Sequence, residues 1–508
     1  MHTNLASLTE PSPYISTDLR PTNFWSRFFS FPSMLIVGLI CSPFFAGVDI
    51  WRATLLRDPD IWWHMRNAQV LFTTHHFIHR DLYSFTTLGQ PWINPEWLAE
   101  VPFYLGWRLL GERGVFLVAV GAIELVIGGL FLLCYRRCSD VKSAFLATWI
   151  GILFATVNLG PRTILFGWIC FLAMVLILDA FRKGRDYTWL LPPVFALWIN
   201  LHGSWLIGFA FFGLFVASGL LQGSWGSINA VRWTPQQLRK LGMVGAASIA
   251  ALFANPYGWR LVMYPTDMIF HQKLNIAVVQ EWQSLDFQGF HGMLFFITVA
   301  CMLLFTLAKR RTWPLQELLF LLLASYSALT HERFMFLAGI VLAPMISVEL
   351  EGLVFDKYDP KKDKPLLNGL IMAAALLVVI FHIPTSAKLR AKVAESMPQG
   401  AVAELQRCCS QGRVLNDYAW GGYLIWNARN TPVFLDSRTD IFEYHGILLD
   451  DIRAITLRDS LAILDRYKID SVLQQPDTGL VYLLKHSPGW RVQYEDSTAV
   501  LLVRSAHS

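Results

Sequence analysis

The sequence predicts an α-helical polytopic membrane protein with a small C-terminal α/β domain. Three observations predict it. Of the 508 residues, 54% are apolar and only 16% charged, against roughly 25% charged in an ordinary soluble domain. Mean hydropathy is +0.41, and the apolar residues come in runs, several of the ~17–25 residues that cross a ~30 Å hydrocarbon core. The tail after Pro384 instead alternates short strand and helix patterns. Soluble, fibrous and disordered proteins are excluded.

The runs are 31–48, 114–135, 143–158, 163–181, 189–200, 203–221, 241–255, 292–307, 313–329, 334–348 and 365–383, about eleven spans. No cleavage-site pattern precedes the first, which is long enough to remain as a signal anchor. With residues 1–30 in the cytoplasm, the basic groups Arg136/Arg137/Lys142, Arg182/Lys183/Arg185, Arg232/Arg239/Lys240, Lys309/Arg310/Arg311 and Lys357/Lys361/Lys362/Lys364 all lie inside, as the positive-inside rule requires. That alternation needs 96–111 to be an interfacial or re-entrant helix rather than a span. The net charge of +5 is therefore mostly topology, not a nucleic-acid footprint.

This orientation divides the chain into a membrane domain (31–383) and an extracytoplasmic α/β domain (384–508). The outer face then carries a first loop (49–113), a medium loop (256–291) and the tail. The tail strands are expected at 413–416, 432–435, 471–474, 491–494 and 499–503. Seven scattered Cys make no disulfide framework; Cys408 and Cys409, adjacent, are expected as two thiols. His75, His76 and His79 lack partner ligands at zinc spacing and read as surface histidines.

The densest polar cluster is Asp58-Pro-Asp60-Ile-Trp62-Trp63-His64, followed by Glu96. A carboxylate can serve as general base, and Asp58 with Asp60 can hold a divalent cation such as Mg2+ or Mn2+ through oxygen ligands. Trp62 and Trp63 suit the membrane interface. At the outer ends of other spans stand Arg162, His202, Tyr257, Arg260, His331 and Arg333. Arg presents a fixed fork of donors that matches phosphate, so three Arg at one level can converge on an anionic head group. Glu124 lies inside a span, where an ionisable group is expensive. No P-loop, nucleophile elbow or dinucleotide fingerprint is present.

The strings Pro59-Asp-Ile-Trp-Trp-His64, Asp81-Leu-Tyr-Ser-Phe-Thr86 and Pro91-Trp-Ile-Asn-Pro-Glu-Trp-Leu98 resemble the first periplasmic loop of bacterial polyprenol-dependent membrane glycosyltransferases of the GT-C superfamily, an uncharacterised branch of them. The strings at 198–203, 255–260, 279–282, 331–334, 420–426 and 433–438 echo it in the same order, so the resemblance covers most of the chain. It implies a transferase of the inner membrane that moves a sugar from a polyprenyl-phosphate donor to a glycan, lipid or protein acceptor on the outer face, with inversion. Asp60 becomes the candidate base or metal-linked carboxylate and Glu96 matches the Glu of the Glu-Trp-Leu string. Pro59 stands where such relatives often carry Gly, and Asp58 adds an acid. His64, Trp62, Trp63, His202, Tyr257, Arg260, His331, Arg333 and Arg162 are the expected substrate contacts. The competing readings are a transporter or flippase of a lipid-linked molecule, working through Glu124, and a silent envelope scaffold whose tail binds polymer.

Overall fold

A computed structural model describes residues 24–45, 58–352 and 358–505. Residues 1–23 of the expected cytoplasmic tail, the end of the first run, the start of the first loop and Lys357 lie outside the described residues. Each of the eleven expected runs coincides with a helix: Phe31–Phe45, Glu112–Cys138, Val141–Ala155, Ile164–Arg182, Leu191–Leu201, Trp205–Ser218, Pro235–Ala251, Phe290–Lys309, Leu315–Thr330, Met335–Leu350 and Pro365–His382. Among the described residues five helices are long and apolar enough to cross a membrane by length and composition: 112–138, 164–182, 290–309, 332–350 and 365–382. Five more are apolar but shorter, so neighbouring protein must cover their ends. The Met335–Leu350 helix is the axis of the bundle and is buried almost throughout.

One end of the bundle gathers the basic residues. Arg137 bridges Asp179 at 3.1 Å and Glu317, Lys183 reaches Asp179 at 3.1 Å, and Arg311 reaches Glu349 at 3.2 Å. Arg182 lies over the Trp233 ring at 3.9 Å. The expected basic clusters thus share a single end, and the acids among them neutralise part of their charge. A three-stranded sheet, β1 (Gly223–Trp225), β2 (Ile228–Ala230) and β3 (Trp313–Pro314), ties two connections there.

The helix Glu112–Cys138 joins two hydrophobic cores. Its Val115, Phe116, Ala119 and Val120 pack with the first loop and the tail, whereas Ala122 to Cys138 pack in the bundle. At 1.5 Å per residue the helix is about 40 Å long, more than a ~30 Å hydrocarbon core needs, and Glu124 follows directly after the change of core. The segment expected as an interfacial helix is the helix Trp97–Leu110. It turns back at Gly111, where φ is +60°, and packs along the start of the next helix. A Cβ on Gly114 would lie 1.7 Å from the Gly106 carbonyl oxygen, so only glycine permits that approach.

The tail holds a four-stranded sheet in the order β4-β5-β7-β6: β4 (Val414–Asn416) is parallel to β5 (Ser471–Gln474), and β7 (Val500–Arg504) pairs antiparallel with β5 and with β6 (Trp490–Glu495). The expected strand at 432–435 is reduced to bridges: Val433 pairs with Val414 and, in the first loop, with Ser84. Cys408 and Cys409, expected as separate thiols, are bonded to each other at the end of the Gln399–Cys408 helix.

Candidate active site

Asp60 starts the amphipathic helix Asp60–Thr74, where an acid favourably meets the positive helix end. The buried face of that helix carries Ile61, Trp62, Met65 and Ala68 inward, which fixes its rotation and brings His64 one turn below Asp60 on the side of the bundle. Asp58 precedes it and accepts the Asp60 backbone N–H through Oδ1 at 2.9 Å. The other Asp58 oxygen pairs with Arg162 Nε at 2.8 Å. Arg162 in turn holds Glu281 and donates to Asn158 Oδ1 at 3.0 Å. One guanidinium therefore joins the first loop, the start of the Ile164–Arg182 helix and the medium loop.

Among the described residues Asp60 makes no such ion pair. Its Oδ1 faces the Trp63 indole N–H at 3.3 Å. Burial, then the charge of Asp58, push its carboxyl up to about 7, against the opposing pull of His64, Arg162 and Ser437. A carboxyl near 7 can accept a proton near neutral pH, which is what a general base requires.

A second cluster adjoins it. His64 Nδ1 bonds Glu100 Oε1 at 2.9 Å, and its Nε2 lies 3.5 Å from Glu96 Oε2. Glu96 Oε1 is 3.3 Å from His202 Nε2, and its Oε2 accepts from Thr163 Oγ1 at 2.7 Å. The backbone N–H of Ser204 donates to His202 Nδ1 at 3.1 Å. That nitrogen is thus an acceptor, and the His202 proton sits on Nε2, directed at Glu96. Burial, aided by the cations Arg333 and Arg162 against the charge of Glu96, pushes His202 down to about 4, so it is a neutral donor. For His64 burial works toward a lower value, but the bond to Glu100 and the charges of Glu100, Glu96 and Asp60 outweigh it and raise the group. Glu100 is 1% exposed and also accepts from Asn67 at 2.9 Å and Asn94 at 2.8 Å.

Arg333 completes the site. Its guanidinium stacks over the Trp282 ring at 4.2 Å, and the charges of Glu281, Glu96 and Asp60 act on it. Its side chain makes no hydrogen bond or ion pair among the described residues. His331 bonds the Trp282 carbonyl oxygen through Nδ1 at 2.7 Å and sets its ring edge-on to the indole, so it supports the platform under Arg333.

The structure therefore brings Asp58, Asp60, His64, Glu96, Arg162, His202 and Arg333 together. It separates others. Arg260 is exposed and makes no hydrogen bond or ion pair among the described residues, so the expected three-Arg convergence is a two-Arg one. Tyr257 is buried and donates to the Ile78 carbonyl oxygen at 2.9 Å, bracing the first loop. Trp62 and Trp63, expected at the membrane interface, are 2% and 5% exposed. Trp62 meets Trp107 and Tyr423 edge-on, and Trp63 meets Trp92; both are held between the first loop and the tail. Glu100, Thr163, Glu281 and Ser437 were not among the expected site residues. Glu281 and Ser437 lie in the strings 279–282 and 433–438 that carry the resemblance, and Glu100 stands out as an acid on the same helix face as Ala99, Phe103 and Tyr104.

For a divalent cation the donor set does not fit as arranged. Both Asp58 oxygens already have donors, Arg162 and the Asp60 N–H, and among the described residues no group of three His, Cys, Asp or Glu side chains is arranged to hold a metal ion.

Comparison with solved structures bears on this architecture. The chain superposes on the oligosaccharyltransferase of Archaeoglobus fulgidus tethered with an acceptor peptide, with a TM-score of 0.55 and 12% identity over 89% of this chain and 69% of that one. The same organism's AglB, in complex with an inhibitory peptide and a dolichol-phosphate, gives 0.54 at 12% identity over the same shares. ArnT from Cupriavidus metallidurans, bound to undecaprenyl phosphate, gives 0.55 at 14% identity over 93% of this chain and 98% of ArnT. The chain has their fold. That likeness supports the polytopic helical architecture expected from the sequence. No protein-family model and no curated protein matches the chain.

Proposed function

We propose that the chain is a membrane glycosyltransferase that moves a sugar from a polyprenyl-phosphate donor to an acceptor on the outer face of a bacterial inner membrane. In this reading the N-terminus is cytoplasmic, the tail from 384 is extracytoplasmic, and the basic end of the bundle faces the cytoplasm. The observation that carries it is an Asp60 carboxyl and an Arg333 guanidinium that feel each other's charge and that make no ion pair among the described residues, at one end of a fold shared with proteins bound to dolichol-phosphate and to undecaprenyl phosphate.

Asp60 takes the proton of the acceptor hydroxyl as that oxygen attacks the anomeric carbon. The bond from that carbon to the lipid phosphate breaks, and the phosphate leaves with its electron pair toward Arg333, whose donors are unoccupied. A single displacement inverts the anomeric centre. Glu96, between His64, His202 and Thr163, holds the floor of the site, and Arg162 holds Asp58 and Glu281 in place beside it.

Asp60→Asn removes the base while keeping the shape. It should cut transfer from a polyprenyl-phosphate-linked sugar in proteoliposomes by about 10²–10⁴-fold with unchanged thermal unfolding. Full transfer by that variant would overturn the assignment.

A further inference from the structure

The tail grips two loops of the outer face. Arg438 is 1% exposed at its side chain and pairs with Asp436 at 2.6 Å and with Asp81 of the first loop at 2.8 Å, both acids fully buried. That clamp fixes the start of the short helix Thr439–Tyr444, and the helix itself meets the medium loop. Asp440 Oδ2 accepts from the Trp92 indole of the first loop and from the Tyr264 hydroxyl of the medium loop, both at 3.2 Å. Tyr444 bonds Asp267. Beside them Glu443 reaches the helix Lys273–Val278. Leu274 N–H donates to its Oε1 at 2.8 Å, and Asn275 N–H to its Oε2 at 2.7 Å.

Those two amides belong to the second and third residues of that helix, where the side chain of the preceding cap residue normally accepts. The cap residue is Gln272, and it makes no such bond. Glu443, 168 residues beyond Asn275, supplies both acceptors instead, each bond strengthened by the carboxylate charge. Leu274 packs against the core of the tail and first loop, so the cap also has an apolar anchor.

The capped turn stands one short segment from Arg333. Val279 N–H donates to the Asn275 carbonyl oxygen at 3.1 Å, and Trp282 N–H to that of Val279 at 3.0 Å. Backbone bonds thus run from the cap to the residue whose ring carries the Arg333 guanidinium at 4.2 Å. Glu281, in the same stretch, holds Arg162. We propose that Glu443 of the tail is a positioning residue for Arg333: its cap fixes Trp282, and that ring aims the guanidinium at the donor phosphate. The tail is thereby part of donor binding rather than an appended module. The inference rests on the reading of Arg333 as the phosphate contact. His331 holds the Trp282 carbonyl oxygen from the bundle side at 2.7 Å, so loss of the cap loosens the platform without dismantling it.

The test uses the full chain in detergent, with polyprenyl phosphate as the probe. Glu443→Ala should weaken its binding by about two- to fivefold, the lower part of the range for a lost helix cap, and accelerate hydrogen exchange in peptides covering 273–283. Glu443→Gln, which keeps one acceptor oxygen, should fall between the parent and Glu443→Ala. In transfer assays KM for the donor should rise by the same factor while KM for the acceptor stays; a chain that is merely less well folded loses kcat and moves neither. Placed on Arg333→Gln, Glu443→Ala should weaken binding no further, because the two substitutions remove one contact. Unchanged exchange at 273–283, unchanged binding by Glu443→Ala, or an equal loss with and without Arg333 overturns the inference while Arg333→Gln still weakens binding. An Arg333→Gln chain that binds the probe as the parent does removes the phosphate reading of Arg333 itself, and this inference with it.

Discussion

The helix Ile447–Ile455 of the tail buries Ile447, Leu448 and Ala454 on one face, and Asp451 stands among them. It is 3% exposed, its Oδ1 is fully covered, and its carboxyl makes no hydrogen bond among the described residues. Burial, with the charge of Asp417 added, pushes it up to about 8. The folded value is thus above the unfolded one, ~3.9. Below pH ~4 both states hold the proton and the group costs nothing; as pH rises through the interval, the unfolded chain releases its proton and the folded one does not, so stability is lost progressively until about pH 8. At pH 7 the cost is about 4 kcal/mol, from roughly three units at 1.36 kcal/mol each, and at pH 5 about 1.5 kcal/mol. Asp451→Asn has nothing to ionise. It should therefore stabilise the tail by up to about 4 kcal/mol at pH 7, and by much less at pH 5. Hydrogen exchange of the 447–455 peptides in the full chain, with thermal unfolding followed at pH 5, 6, 7 and 8, measures this. A substitution that destabilises at every pH, or a gain equal at pH 5 and pH 8, would refute the reasoning, since either means an ionised and paired carboxylate.

Arg438→Met leaves Asp81 and Asp436 buried without their counter-ion, which should cost about 3–5 kcal/mol and accelerate hydrogen exchange at 81–87 and 433–438; unchanged exchange there would remove the clamp. Arg333→Gln should weaken binding of polyprenyl phosphate by about 10- to 100-fold, the worth of hydrogen bonds to a charged group, whereas Arg260→Ala stays within about twofold; equal losses in a binding titration would contradict the two-Arg site. A chelator should change transfer by less than about twofold while Arg162 covers Asp58, and Arg162→Gln, which frees both carboxylates for oxygen coordination, should make transfer respond to added Mg2+. A parent chain silenced by the chelator would show that the cation does sit there.

Much of this was legible because hydropathy acts locally. A run of apolar residues bounded by basic ones decides a helix and which end of the bundle it presents, and all eleven runs became helices. The acid string at 58–64 was legible as a site for the same reason, being out of place beside so much apolar sequence. What was not legible depends on partners far along the chain. Trp62 and Trp63 have the amphipathic ring that suits either an interface or a core, and the choice fell to Tyr423 and Ser437, more than 350 residues away. Arg260 and Arg333 are indistinguishable by composition; helix rotation sends one to solvent and the other over Trp282. The vicinal cysteines carried no local signal of their bond.

The hydrogen bonding at the site argues for an anionic occupant independently of the fold. Asp58 and Glu281 both lean on Arg162, and Glu96 has three donors in Thr163, His202 and His64. Every one of these acids is answered by a donor fixed in the fold. Asp60 is held near neutral charge by burial and by Asp58 beside it. Among the described residues of the site, Arg333 is the cation whose guanidinium has no hydrogen-bond acceptor; it rests on an aromatic face that orients it. A half-buried guanidinium left in that state is costly unless an anion arrives, and the polyprenyl phosphate proposed above would supply one. The same phosphate, entering next to Asp60, would raise that carboxyl further by like charge, so added polyprenyl phosphate should shift upward the pH midpoint of carbodiimide labelling of Asp60, read by peptide mass spectrometry; a midpoint that ignores it would mean that the two groups do not share a site.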